Sequence, residues 1–157
     1  MTPDQLEKIS EMEKTIFSDA WSKRSLSETM ENPFTDFLVA LDDREEPIGY
    51  LIGYTLVPEG EIANLAVCEK MRRKGVGWGL LHAYLERCRE KSCDTFYLEV
   101  RASNSAAISL YEKVGFRPYG RRKRYYSHPT EDAILMIYHE TKKREEEWIG
   151  GKENDRT

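Results

Sequence analysis

The sequence contains no long apolar run. Nothing in it approaches the roughly 18 consecutive apolar residues that a membrane-spanning helix requires, and with 33% of its residues charged it reads as a soluble globular chain. Cysteine is scarce. The three present, Cys68, Cys88 and Cys93, are odd in number and show no Cys-x-x-Cys spacing, so neither a disulfide framework nor a zinc site is expected. His82, His128 and His139 are scattered and form no metal pattern. An excess of positive charge is also missing: 24 Lys and Arg face 28 Asp and Glu, a net charge of -4 that argues against direct nucleic-acid binding. The longest basic run, Arg121-Arg122-Lys123-Arg124, reads as a solvated strand face. The first residues, Met-Thr-Pro-Asp-Gln, lack the basic and apolar regions of a signal peptide, which predicts a cytoplasmic protein without a membrane partner.

What is present fits one domain of ordinary size. The 157 residues suffice to bury a core without staples. Thr2-Pro3 followed by Gln5 is a capping-box start, and Leu6, Ile9, Met12, Ile16 and Phe17 keep helical spacing behind it. Ser22 caps a shorter helix that must stop by Asn32-Pro33, because proline forces the preceding residue out of helical geometry. Residues 37–41 and 48–54 are strand runs joined by a polar turn, residues 61–67 a third strand, and residues 76–91 a helix with Leu80, Leu81, Tyr84, Leu85 and Cys88 on one face. Strand 95–100, a helix capped at Asn104 or Ser105 and ended by Gly115, and strands 116–126 and 132–139 follow. Residues 1–140 thus form a single domain and residues 141–157 a charged, solvated tail. The order gives an α+β fold: a mixed, mostly antiparallel sheet flanked by helices, with one strand-helix-strand crossover.

That crossover carries Arg72-Arg73-Lys74-Gly75-Val76-Gly77-Trp78-Gly79. Glycines there let backbone approach a ligand closely, and the unpaired N–H groups at the start of the next helix point at an anion. A dinucleotide-binding unit is the rival reading, but it requires a longer alternation of parallel strands and helices than this hairpin-rich order supplies. The next strand ends in Glu99, and the following helix carries Tyr111, two groups able to move protons. Strand alternation alone reads Glu99 as a solvent-side carboxylate, and helical spacing alone reads Tyr111 as a core tyrosine. Glu61 stands as a second candidate base, and Cys68 as structural.

With Arg72, Gly75 and Gly77 in place, the chain resembles the Gcn5-related N-acetyltransferase (GNAT) superfamily, whose fingerprint is Arg or Gln, two residues, Gly, one residue, then Gly or Ala. Leu98-Glu99-Val100-Arg101-Ala102-Ser103-Asn104, Leu110-Tyr111-Glu112, Gly115-Phe116, Tyr125-Tyr126 and Glu131-Asp132-Ala133 resemble its RimI-type branch, the ribosomal-protein alanine N-acetyltransferases. The resemblance spans about residues 3–138. It implies acetyl-CoA as cosubstrate and no metal. Leu65, Ala66 and Val67 are expected to lend backbone to the pantetheine arm, Arg72, Arg73, Lys74, Gly75, Val76, Gly77 and Trp78 to wrap the pyrophosphate, and Asn104 to bond near the pantetheine. Glu99 is expected as general base and Tyr111 as general acid. Trp21, in the loop of residues 17–21, is expected to border the peptide groove with Tyr125 and Tyr126. The implied acceptor is the N-terminal alanine of a small-subunit ribosomal protein, and the implied unit a monomer. A lysine side chain or a small-molecule amine is the alternative acceptor, and an acyl-CoA-binding regulatory subunit the alternative of another class. The superfamily usually begins with a strand, yet the helix cap at Thr2 predicts that strand short or absent.

Overall fold

The computed structural model describes residues 1–140; the expected tail of residues 141–157 lies outside them. Helix α1 (Pro3–Ile16) starts as its capping box dictates: Thr2 Oγ1 accepts from the Gln5 N–H at 3.1 Å, and Gln5 Oε1 accepts from the Thr2 N–H at 3.0 Å. Ser22 caps α2 (Lys23–Glu31), and the chain leaves helical geometry at Asn32. No strand precedes α1 among the described residues. Strands β1 (Thr35–Leu41) and β2 (Pro47–Leu56) form an antiparallel hairpin whose turn is held by Asp42 Oδ1, which accepts from the N–H groups of Arg44 and Glu46.

Strand β3 (Glu59–Val67) begins two residues earlier than the sequence reading placed it. Helix α3 (Val76–Glu90), strand β4 (Thr95–Arg101), helix α4 (Ser105–Val114) and strands β5 (Arg117–Tyr126) and β6 (Glu131–His139) complete the chain. The six strands lie in the order β1-β2-β3-β4-β6-β5. Among the described residues β3–β4 is the parallel pair, joined through α3, and the other neighbours are antiparallel. One face packs Tyr50, Ile52 and Ala66 against Ile9 of α1 and Leu26 of α2. The other packs Ile62, Phe96, Leu98 and Met136 against Leu81, Tyr84 and Leu85 of α3 and Tyr111 of α4. Cys88 and Cys93 lie in this second core, and all three cysteines are free. No helix among the described residues is long and apolar enough to cross a membrane.

The sheet is interrupted where it matters. Ile52 pairs with Asn64 while Gly53 pairs with Ile62, so Ala63 is an extra residue, a β-bulge. The bulge reverses the alternation of β3: Ile62 faces α3, but Asn64 and Ala66 face α1 and Leu65 returns to the α3 side. Pairing of β3 with β4 stops at the same level, at Ile62 opposite Leu98. Beyond it residues 64–67 pair only with β2, and residues 99–101 only with β6. The two parallel strands therefore part toward their C-terminal ends.

A buried carboxylate secures the bulge. Glu13, 1% exposed, accepts from both the Asn64 amide, at 2.9 and 3.2 Å, and the Trp21 N–H at 3.1 Å, and also from the Tyr50 hydroxyl. Burial raises its pKa above the ordinary carboxylate value, against the lowering effect of the Trp21 and Asn64 donors. The folded chain therefore holds the Glu13 proton more tightly than the unfolded chain. Between the ordinary and the raised value, stability falls as pH rises, and Glu13→Gln removes that fall. Glu13→Ala leaves buried donors without an acceptor and should cost about 1–3 kcal/mol for each. Urea titrations across mild acid pH check both, and an unchanged midpoint in Glu13→Ala would contradict them.

Candidate active site

The parted strands open beside the glycine turn. Gly75 is the N-cap of α3 at φ 82°, a left-handed conformation suited to glycine, and the cap position carries no side chain to satisfy the helix's first N–H groups. A Cβ at Gly75 would meet nothing within 4 Å, so the space outside the turn is open. The N–H groups of Val76, Gly77 and Trp78 thus face an uncapped helix start that suits a phosphate. Arg73 and Lys74 are exposed beside it. Arg72, also exposed, donates its Nε to the Val67 carbonyl at 3.2 Å, which ties the turn to the end of β3. Gly77 also acquires a second reason. A Cβ there would lie 3.2 Å from Leu110 Cδ2 and 3.7 Å from Val67 Cγ2, so this glycine lets α3 approach α4 and β3. Trp78 lies 41% exposed and packs against His82 with the two rings tilted by 44°. Asn104 caps α4, its Oδ1 accepting from the Ala107 N–H at 3.2 Å, which leaves its amide NH2 for a ligand.

Glu99 stands on β4 just past the point where the strands part, 25% exposed, with the Arg122 guanidinium 3.2 Å from its carboxylate. The Tyr125 hydroxyl faces the same carboxylate, and this hydrogen bond, followed by partial burial, raises the Tyr125 pKa. Burial, followed by the Glu99 charge, pushes Tyr126 up to about 12. Tyr111 is 6% exposed and packs edge-on against Phe116; burial, with the neighbouring Tyr126, raises its pKa, so its hydroxyl keeps its proton at neutral pH. Glu61, on β3 opposite Tyr97, is the second carboxylate of the cluster. Desolvation and the Glu99 charge raise its pKa, and Arg122 opposes them. The structure thus gathers Glu99, Glu61, Tyr125 and Tyr126, and sets Tyr111 behind Tyr126.

Three features escaped the sequence reading. Glu13 pins Trp21, so the loop after α1 is fixed to the bulge of β3. Asp132 accepts from the Arg124 N–H at 2.9 Å and from Arg121 at 2.8 Å; these bonds hold its carboxyl below the ordinary range and shape a bulge between Arg122 and Tyr126 that carries Tyr125. Arg101 reaches from the end of β4 to the loops on either side. Alternation along β4, which puts Arg101 on the Glu99 face, is the signal by which it was findable. Among the described residues no group of three His, Cys, Asp or Glu side chains could hold a metal ion.

A strand pair that parts beside an uncapped, glycine-led helix start can receive a long phosphate-bearing ligand, and comparison with known proteins says of which kind. The sequence pattern of the Acetyltransferase (GNAT) family matches residues 6–116. The chain belongs to the GNAT acetyltransferase family. A Bacillus subtilis (strain 168) protein provisionally named a ribosomal protein bS18 alanine N-acetyltransferase is 35% identical over 141 residues, 87% of this chain and 90% of its own length. The crystal structure of the ribosomal-protein-S18-alanine N-acetyltransferase from Escherichia coli superposes with a TM-score of 0.79 at 27% identity, covering 88% of this chain and 90% of that one. A chain from the crystal structure of the NatC complex bound to Gag peptide and CoA matches with a TM-score of 0.79 at 26% identity, covering 89% and 93%. As a GNAT enzyme, the chain is an acyltransferase that uses acetyl-CoA.

The two glycines now separate experimentally. Gly75→Ala strains a positive-φ cap that faces open space and should lower acetyl-CoA affinity with a stability loss of about 1 kcal/mol. Gly77→Val drives a branched side chain against Leu110 and should lower the melting temperature as well as the affinity. Calorimetry and thermal melts check this, and a Gly77→Val variant as stable as wild type would contradict the packing role.

Proposed function

We propose that this chain is an acetyl-CoA-dependent N-terminal acetyltransferase that modifies the alanine α-amine of a small-subunit ribosomal protein. The observation that carries the reading is Glu99, at the mouth of the parted strands and bordered by tyrosines of the hairpin β5–β6. The names borne by the Bacillus subtilis and Escherichia coli relatives support the same acceptor.

In this reading the residues divide the reaction. The open edge of residues 63–67, with Leu65, Ala66 and Val67, receives the pantetheine arm. The N–H groups of Val76, Gly77 and Trp78, with Arg73 and Lys74, receive the pyrophosphate. A peptide α-amine has a pKa of about 7.7–8.0, so much of it is ammonium at neutral pH and must lose a proton before attack. Glu99 takes that proton, directly or through one water, and Arg122 balances its charge. A backbone N–H of the open β3 edge holds the oxygen that becomes negative on attack. Tyr111 returns a proton to the departing thiolate. Trp21, Tyr125 and Tyr126 wall the acceptor groove. The reading takes the chain as a monomer that works in the cytoplasm on a protein substrate.

Glu99→Gln should cut turnover by roughly 10²–10⁴ without weakening acetyl-CoA binding, with partial recovery at higher pH as free amine accumulates. Tyr111→Phe should also lower turnover. Steady-state acetylation of a panel of alanine-first peptides, internal-lysine peptides and free amines, with mass spectrometry locating the acetyl group, checks the acceptor. Equal rates on internal lysines or polyamines would overturn the α-amine assignment while sparing the acetyltransferase activity.

A further inference from the structure

Arg101 makes more long-range contacts than the reaction as derived requires. It is the last residue of β4, two positions beyond Glu99, with a side chain 24% exposed. Its Nη2 donates to Ser18 Oγ at 3.1 Å and to the Ser127 carbonyl at 3.0 Å, and lies 3.7 Å from Asp19 Oδ2. Its Nη1 donates to the Pro129 carbonyl at 3.1 Å and to Glu131 Oε2 at 3.4 Å. The guanidinium carbon sits 4.5 Å from the centroid of the Tyr126 ring. Ser18 and Asp19 belong to the loop between α1 and α2; Ser127 and Pro129 belong to the loop between β5 and β6, which Glu131 closes. These two loops carry the walls of the acceptor groove, Trp21 on one side and Tyr125 and Tyr126 on the other. Among the described residues the other hydrogen bond between them runs from the Ser18 hydroxyl to the Ser127 carbonyl, at a long 3.5 Å.

We propose that Arg101 is a positioning residue that clamps the two loops around the acceptor peptide and sets their distance from Glu99. This deepens the proposed function and rests on it for the identity of the acceptor. The physical basis is the guanidinium itself. Its planar fork offers five N–H donors in fixed directions, so one side chain can hold acceptors from two loops at once and still stack on an aromatic face. A lysine ammonium in the same place reaches fewer of them and stacks less well. Glu131 extends the clamp, since its other oxygen accepts from the Ser103 N–H just before α4, the helix that carries Tyr111. None of the Arg101 side-chain hydrogen bonds goes to residues 63–67 or 72–78, and its carbonyl, which accepts from the Asn104 N–H at 2.9 Å, is kept in every variant, so substitution of the side chain leaves the acetyl-CoA side of the cleft in place.

The test compares wild type with Arg101→Gln and Arg101→Lys by two measurements: steady-state kinetics with an alanine-first peptide, and hydrogen exchange of the two loops. Loosening both groove walls removes contacts that hold the peptide equally before and during reaction, a loss of uniform binding, so Arg101→Gln should raise the peptide KM by about tenfold or more. The acetyl-CoA affinity should stay at the wild-type value, and kcat should fall far less than KM rises. Arg101→Lys should recover part of the loss. Amide exchange in residues 17–21 and 126–130 should accelerate together in Arg101→Gln. If circular dichroism shows that Arg101→Gln does not fold, the double variant Ser18→Ala, Asp19→Asn cuts the clamp from the loop side and should raise the peptide KM in the same sense. Unchanged peptide KM with unchanged loop exchange in a folded variant would overturn the clamp, as would equal losses of peptide and acetyl-CoA binding. A wild-type enzyme that ignores alanine-first peptides would instead overturn the proposed acceptor, and the loop exchange would still judge the clamp.

Discussion

The parting of β3 from β4 is the constraint on which the site depends. Two parallel strands that stayed paired would bury their facing N–H and C=O groups in a ladder and leave no room for a ligand. Here one extra residue, Ala63, shifts the register of β3 against β2, and the pairing with β4 ends at Ile62 and Leu98. A bulge next to a functional site is a recurrent way to end pairing and re-aim side chains. In this chain it sends Asn64 to Glu13 and exposes an edge of β3 toward the cleft, while β6 keeps β4 rigid on its other side. Glu99 is thereby held on a strand that is paired along one edge and open along the other.

The electrostatics follow from that geometry. The carboxylates of Glu61 and Glu99 share one face of the opened sheet, and two like charges so placed need a counter-charge, which Arg122 provides. Arg122 comes from β5, the most exposed and most basic strand, where Arg121 and the Arg124 N–H are held by Asp132. The basic run is therefore only in part a solvated face: it also delivers Arg122 and Tyr125 to the carboxylates. The phosphate end uses a different device, backbone N–H groups left uncapped at a glycine, so the two halves of the cleft carry charges suited to an amine at one end and an anion at the other.

Much of this was legible in the sequence because it is encoded locally. The capping box at Thr2 and Gln5, the cap at Ser22, the stop before Pro33 and the cap at Asn104 each act within four residues, and each stands where the residue types placed it. Alternation in β4 put Glu99 and Phe96 on opposite faces, as found. What stayed illegible acts over long separations. Glu13 reads as one more polar residue of an amphipathic helix, yet it is buried because Asn64, 51 residues away, and Tyr50 turn toward it. Gly77 reads as a phosphate glycine, and its contact with Leu110 emerges only when α4 packs on α3. The bulge at Ala63 leaves no mark in residue type, since a single methyl group suits either face of a strand.

The central claim is that the cosubstrate occupies the gap between the parted strands and the uncapped start of α3. Hydrogen exchange resolved to single amides, with and without acetyl-CoA, tests it most directly. Slowed exchange confined to residues 63–67 and to the N–H groups of Val76, Gly77 and Trp78, with β1 and α2 unchanged, is the result expected. Protection that appears elsewhere, or amides in residues 63–67 that exchange at the same rate with and without acetyl-CoA, would contradict it.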